Sequence, residues 1–484
     1  MGIFRSLRVV GIMVLAYSTS LLPPILVSWW HDDGEIRYFV IALLAIAMAG
    51  GLILAFSARP GMRGQQLRRR DGFLVVAFFW VVLSMLGAIP LMLGSHLPFV
   101  DALFEAVSGF TTTGATVMVG LDALPPSILY YRQQLQWLGG MGLVVLAIAV
   151  LPMLGIGGAQ LYRAETPGPG KDEKITPRLV QGARALWLIY VGLTMACALA
   201  YWLAGMPAFE ALEHSFATVS TGGFSTHDAS LGYYDSAAIE LVATLFMLIS
   251  GINFGVHYLV LAGRNPALYL RDTEVRNYLL IMLGLLLVIF TALVETGVYH
   301  SFGHAVMDAG FEVVSVITST GFGEADFSRW PLFLPVMLMF TSFIGGCGGS
   351  TAGGIKVLRV VLLFKQGARE LLALTHPRLV RPVKLGGRVV SERTTQSVWG
   401  FFAMYLFVFV ILTLLMMASG LDQVSAFAAV ATSINNLGPG LGQVAYNFAE
   451  VSDAVKLLAI FAMLLGRLEI FTLLVLLSPR FWLE

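Results

Sequence analysis

The sequence predicts an all-α polytopic membrane protein: four tandem helix–pore helix–filter loop–helix repeats around one pore, plus an N-terminal pair of transmembrane helices. Three observations predict it. First, of 484 residues 57% are hydrophobic and 12% charged, with a mean hydropathy of +0.80. Soluble domains carry about 25% charged residues, so this surface has no means of being solvated by water. Second, apolar windows of about 20 residues, enough to cross a bilayer, fall near 9–30, 37–58, 73–94, 134–155, 183–204, 237–263, 277–299, 331–364, 396–418 and 454–477. Third, a short Ser/Thr-Gly pattern occurs four times at similar spacing.

The first window follows Arg5 and Arg8 and runs from Val9 to Trp30 with no small-residue cleavage site, which reads as a retained spanning helix. Ten windows put both termini on one side. Of 30 Lys and Arg residues, 25 fall in segments assigned to the cytoplasmic side, among them nine from Lys356 to Arg393. The opposite side receives Arg37, Arg132, Arg329 and Lys456, and Arg467 lies within a span, so both ends are expected to be cytoplasmic. Cys197 and Cys347 lie in apolar sequence and are read as packing residues.

Four apolar segments near 98–110, 207–219, 304–317 and 422–434 are too short to cross and read as re-entrant. Each runs into a loop: Thr111-Thr112-Thr113-Gly114, Val219-Ser220-Thr221-Gly222, Thr318-Ser319-Thr320-Gly321 and Asn435-Asn436-Leu437-Gly438. Aligned on the last glycine, a glutamate stands nine residues upstream in three copies, and Ala429 replaces it in the fourth. The glycines are separated by 108, 99 and 117 residues. A single such loop is an ordinary turn; four in register, on one expected side, define a repeat. The expected organisation is an N-terminal pair (1–72), then repeats 73–182, 183–276, 277–395 and 396–484.

Irregular backbone at membrane depth is tolerated only where it is buried in protein or lines a water-filled path. Four loops around an axis would turn rings of carbonyl oxygens inward to replace a cation's hydration shell. Gly114, Gly222, Gly321 and Gly438 supply the dihedrals this needs. The residues before them, Thr112, Thr113, Ser220, Thr221, Ser319, Thr320, Asn436 and Leu437, would provide the carbonyls. The short helices' C-terminal ends would also favour a cation. Asp101, Glu105, Glu210, Glu213, Asp308, Glu312 and Asp422, near their outer ends, are read mainly as caps. No ring of membrane-embedded carboxylates accompanies the loops, and a large, easily dehydrated monovalent ion, potassium, is the natural candidate.

Residues 345–354 contain Gly345, Gly346, Gly348, Gly349, Gly353 and Gly354, too many for a comfortable helix. A helix break with a mobile blocking loop is expected there, with close helix packing as the alternative. No comparable break is expected in the other repeats. Arg467 is read as contacting carbonyls of this loop and acting as an electrostatic barrier, against pairing with Glu469 or snorkelling. Asn253 and His257, four apart on one helix face, are expected to make interhelical hydrogen bonds, with lining an interior surface as the alternative. The segment Gly168-Pro169-Gly170-Lys171 lacks the spacing of a phosphate loop. Neither zinc-ligand spacing nor a catalytic triad is found, which argues against a membrane-embedded enzyme. A transporter coupled to H+ or Na+ is the nearest rival, for which carboxylates beside the pathway are expected.

The loops 111–116, 220–225, 318–323 and 435–440, with the glycine-rich insertion and Gly466-Arg467-Leu468-Glu469, resemble the Trk/Ktr/HKT superfamily of potassium transporters, and within it the bacterial TrkH/TrkG/TrkI type. The resemblance covers nearly the whole chain. It implies a homodimer in the bacterial inner membrane, with one pore per subunit and K+ as the transported ion. It also implies a cytosolic nucleotide-binding regulatory subunit of the TrkA kind. The basic segments 160–184 and 365–393 are available to that partner or to anionic membrane lipids. The family's potassium-coordinating positions fall on the eight loop residues named above, and its gating loop and arginine on 345–354 and Arg467.

Overall fold

The computed structural model describes residues 2–57, 69–145, 175–299, 301–331, 333–376 and 381–483. It is almost entirely helical, with one short antiparallel hairpin pairing β1 (Lys384–Leu385) and β2 (Arg388–Val389). The N-terminal unit comprises α1 (Gly2–Thr19), α2 (Leu22–His31) and α3 (Ile36–Ser57). Pro23 and Pro24 sit in the first turn of α2, where missing amide hydrogens cost least.

The first repeat contains α4 (Arg69–Leu93), the short α5 (Phe99–Phe110) and α6 (Pro126–Val145). The second contains α7 (Ile175–Leu203), the short α8 (Ala208–Val219), α9 (Ala237–Ser250) and α10 (Phe254–Gly263). The third contains α11 (Thr273–Glu295), the short α12 (Phe302–Ile317), α13 (Leu334–Thr341) and α14 (Val357–Thr375). The fourth contains α15 (Glu392–Ala418), the short α16 (Gln423–Asn435), α17 (Asp453–Arg467) and α18 (Phe471–Leu477). All four re-entrant segments are therefore helices at the expected places. Pro98 and Pro207 precede α5 and α8, so neither helix extends upstream as regular α-helix.

The ten expected spans are not ten continuous helices. Six described helices are long and apolar enough to cross, and two further candidates are bent pairs, α9/α10 at 92° and α17/α18 at 114°. The window 331–364 is α13, a non-helical stretch and α14, while the window 134–155 lies only in part within the described residues. The expectation that only the third repeat carries a break is corrected. The second helix breaks in repeats two, three and four, and in repeats two and three the broken segments satisfy each other's backbone groups, as described below.

Burial adds what the charge map leaves out. Arg132, assigned to the opposite side, lies inside α6, 1% exposed, 2.7 Å from the equally buried Glu105. Lys456 is buried in α17 and pairs with Asp101 at 2.6 Å. Lys356 and Arg359, counted with the cytoplasmic cations, lie beneath the pore helices beside the non-helical stretch. Breaking a buried pair by removing one partner costs about 3–5 kcal/mol, because the remaining charge stays desolvated. Arg132→Met is therefore expected to lower the melting temperature of the purified protein by several degrees, with Glu105→Gln in the same chain recovering part of the loss. An unchanged melt in Arg132→Met would mean that the pair is not desolvated.

Candidate ion pathway

The four short helices end in the same way. Thr112, Thr221, Ser319 and Asn436 adopt φ of 52°, 52°, 53° and 54°. Following them, the amides of Thr113, Gly222, Thr320 and Leu437 donate to the carbonyls of Ser108, Ala217, Ser315 and Thr432 at 2.8–2.9 Å. This pairing of a left-handed residue with a bond reaching back over the last turn is the Schellman termination. Glycine normally takes the left-handed place, and a β-branched threonine there is an outlier. Such strain persists only where surrounding structure enforces it, and it clusters at functional sites.

These bonds correct the sequence register of the second repeat. The residue equivalent to Gly114 (φ 81°), Gly321 (φ 74°) and Gly438 (φ 100°) is Gly223 (φ 77°), whereas Gly222 is not left-handed. The matched loop pairs are thus Thr112-Thr113, Thr221-Gly222, Ser319-Thr320 and Asn436-Leu437. Ser220 stands one place earlier, level with Thr111, Thr318 and Asn435. The doubled glycine hid the shift, since either one fits a Ser/Thr-Gly pattern.

With that register the loops form a closed ring. A Cβ on Gly114 would overlap the carbonyl oxygen of Gly222, one on Gly223 that of Thr320, and one on Gly321 that of Leu437. A Cβ on Gly438 would lie 2.8 Å from the carbonyl oxygen of Thr113, returning to the first repeat. Four glycines thus let four backbone segments approach closely around one axis. Among the loop hydroxyls, Thr113 bonds Thr111 at 2.7 Å, Thr320 bonds Thr318 at 2.8 Å and Ser319 bonds the carbonyl of Thr318 at 2.7 Å, whereas Thr112 Oγ1 is buried without a partner among the described residues. The Asn436 amide donates to Thr113 Oγ1 at 2.9 Å, tying the fourth loop to the first.

The register shift also changes the reading of the acidic residues. Nine residues before the loop glycine stand Glu105, His214, Glu312 and Ala429. Glu105 accepts from Thr116 Oγ1 and from the Val117 amide, each at 3.0 Å, and Glu312 from the Glu324 and Ala325 amides at 3.2 Å. His214 Nε2 lies 3.1 Å from Ser225 Oγ, the counterpart of Thr116. Glu105, His214 and Glu312 brace the extended segment leaving each of the first three loops rather than cap a helix. Asp422 does cap its helix, accepting from the Val424 and Ser425 amides.

Beneath the ring runs the glycine-rich stretch between α13 and α14. Gly345, Gly349 and Gly354 are left-handed, and a Cβ on Gly353 would overlap the carbonyl oxygen of Asn435. The Gly353 amide donates to Ser319 Oγ at 2.5 Å, the Gly348 amide to Glu274 Oε1 at 2.7 Å, and Thr351 Oγ1 to Val219 O at 3.2 Å. The break between α9 and α10 faces this stretch. There the Cys347 amide donates to Gly251 O at 2.9 Å and the Phe254 amide to Gly349 O at 3.1 Å. Two unwound segments thereby satisfy groups that neither could satisfy in a dry interior alone. Asn253 caps α10 through the Gly255 amide and touches Gly349, while His257 bonds Tyr269 and Ile249 O, so the interhelical bond expected here is made by His257.

Arg467 ends α17 at the third break. Its Nη1 donates to Thr351 O at 3.1 Å and its guanidinium lies 5.4 Å from the Trp80 ring centre, with Nε and Nη2 buried and unpaired. Glu469 does not pair with it, because Arg359 takes that carboxylate at 2.6 Å. Lys356 Nζ donates to Ala352 O. A small cavity runs between Gly353, Asn436, Gly466, Arg467 and Lys356.

A multi-pass helical protein whose four re-entrant loops close around an axis, above an unwound segment, is a membrane transport protein rather than an enzyme. Residues 39–483 match the TrkH family, described as cation transport proteins. The chain is 51% identical to the Trk system potassium uptake protein TrkH of Vibrio parahaemolyticus over 484 residues, covering 99% of each. It is also 51% identical to TrkH of Salmonella typhimurium, covering 99% of this chain and 100% of that one. The crystal structure of the potassium transporter TrkH from Vibrio parahaemolyticus superposes with a TM-score of 0.92 at 48% identity, covering 100% of both chains. The chain belongs to the TrkH family.

Proposed function

We propose that this protein takes up potassium across the bacterial inner membrane through a filter of backbone carbonyls. The observation that carries the reading is the cyclic approach of the four loops, in which each left-handed glycine abuts the carbonyl of the next repeat. Carbonyls of Thr112, Thr113, Thr221, Gly222, Ser319, Thr320, Asn436 and Leu437, with Ser220 one level below, would stand in for the hydration shell of K+. The C-terminal ends of α5, α8, α12 and α16 add partial negative charge beneath. The relatives named as potassium uptake proteins support K+ as the ion.

The stretch 345–354 acts as the gate in this reading. It touches the filter loop at Ser319 and is held from below by Arg467, whose charge opposes a cation arriving there. The relatives' designation as parts of a Trk system supports a TrkA-type nucleotide-binding subunit on the cytoplasmic face. The hairpin β1/β2, tied to α14 by Lys365 Nζ donating to Lys384 O at 2.8 Å, offers it a basic surface. A homodimer with cytoplasmic termini completes the proposal.

The test is radioactive rubidium uptake into proteoliposomes, with and without an imposed proton gradient. Uptake that follows the rubidium gradient and ignores the proton gradient is expected. Uptake driven uphill by protons would instead establish coupled transport.

A further inference from the structure

On the face from which the short helices enter, three carboxylates converge where repeats two and three meet. Oxygens of Glu240 in the first turn of α9, Asp308 on α12 and Glu324 in the strand leaving the third loop lie within 4.8 Å of one another. Two features set this group apart from an ordinary acidic patch. Glu240 is 8% exposed, yet its carboxylate has no hydrogen bond or ion pair among the described residues, and Glu324 Oε2 is buried without a partner. Asp308, 9% exposed, receives the Tyr299 hydroxyl. Two other carboxylates on this face are paired, Glu105 with Arg132 and Asp101 with Lys456, whereas Glu213 is buried with Oε1 unpaired among the described residues but stands outside this cluster.

We propose that Glu240, Asp308 and Glu324 bind one calcium ion. Three carboxylates offer only hard oxygen donors, which select against zinc and other transition metals. Calcium–oxygen distances of about 2.3–2.6 Å let ligands stand up to roughly 4.6–5.2 Å apart, and these oxygens, all within 4.8 Å of one another, fall inside that reach. Magnesium needs about 2.0–2.1 Å and gives up its water reluctantly, so it fits less well. The ion would neutralise groups that now repel: burial, then the charges of Asp308, Glu240 and Asp235, push the Glu324 carboxyl up to about 7.

The site's place gives it a consequence. The Glu324 amide is held by Glu312, and the Gly232 amide donates to Gly323 O at 3.3 Å, so this strand already links the outer loops of two repeats. Glu324 follows Gly321 by three residues. Calcium would fix the strand leaving the third loop to α9 and α12 at the mouth of the pathway. This holds whichever ion the pathway carries.

Radioactive calcium binding to the full-length protein in nanodiscs, in excess potassium and with magnesium as competitor, tests the assignment. One saturable site per chain is expected, weakened about tenfold or more in both Glu240→Gln and Glu324→Gln and little displaced by equimolar magnesium. Absence of saturable binding to the unaltered protein overturns the proposal whatever the variants do. Equal binding in the unaltered chain and in either variant, each eluting as a single species on size exclusion, also overturns it.

Discussion

Gly223→Ala is expected to lower rubidium uptake on the order of 100-fold, while Gly323→Ala, four residues past the third loop's left-handed Ser319, leaves it near that of the unaltered protein. At position 223 two penalties combine. The backbone is left-handed at φ 77°, and the added Cβ would overlap the carbonyl oxygen of Thr320. Left-handed backbone alone costs an L-residue about 1–2 kcal/mol. The overlap is between backbone atoms, so no side-chain rotation relieves it. The Thr320 carbonyl must move, and with it the ring. At Gly323 nothing lies within 4 Å and φ is not left-handed. Uptake by Gly223→Ala at the unaltered rate, with equal protein in the membrane, would remove the ring from the ion's route.

Arg467→Ala is expected to raise basal rubidium flux on the order of tenfold, since a hydrogen bond from a charged donor contributes about 1.5–3 kcal/mol. The bond in question runs from Arg467 Nη1 to Thr351 O and is one of two cationic holds on the non-helical stretch, beside that of Lys356 on Ala352 O. Its loss frees that stretch and removes a buried positive charge from the route, and both changes favour cation passage. Arg467→Lys retains the charge but not the planar fork, so its flux should fall between the two. Basal flux unaltered in Arg467→Ala would leave the side chain as packing against Trp80.

Much of this arrangement was legible in the sequence because it is written in local chemistry. The four short helices, the loops after them and the glycine-rich break follow from apolar length and helix propensity. The partner of Arg467 was legible only as a pair of alternatives. What decided it was Arg359, which is 110 residues from Glu469 along the chain and adjacent to it in space. The same distance effect hid the Arg132–Glu105 pair, since Arg132 precedes its apolar window and is counted only by the side on which it falls.

The second loop shows the limit most plainly. Gly222 and Gly223 are chemically identical neighbours, and no local rule distinguishes them. The Schellman bond of the Gly222 amide to Ala217 O and the approach of Gly223 to Thr320 O distinguish them at once. The breaks in repeats two and four were likewise invisible, because Gly251-Ile252-Asn253 and Leu468-Glu469-Ile470 carry no excess of glycine. In repeat two, Cys347 and Gly349 of the third repeat supply or accept the backbone bonds the helix gives up, and at the fourth-repeat break the Arg467 side chain reaches Thr351 O of the third repeat.

By itself the sequence determined that the chain lives in a bilayer, repeats one unit four times and places glycine where backbone must turn at membrane depth. Those properties depend on transfer free energy and dihedral freedom, which each residue carries with it. Only the tertiary structure decided which glycine of a pair enters the ring, which charge neutralises which, and where helices unwind. Those depend on groups brought within a few ångströms by folding, and distance along the chain holds no record of that.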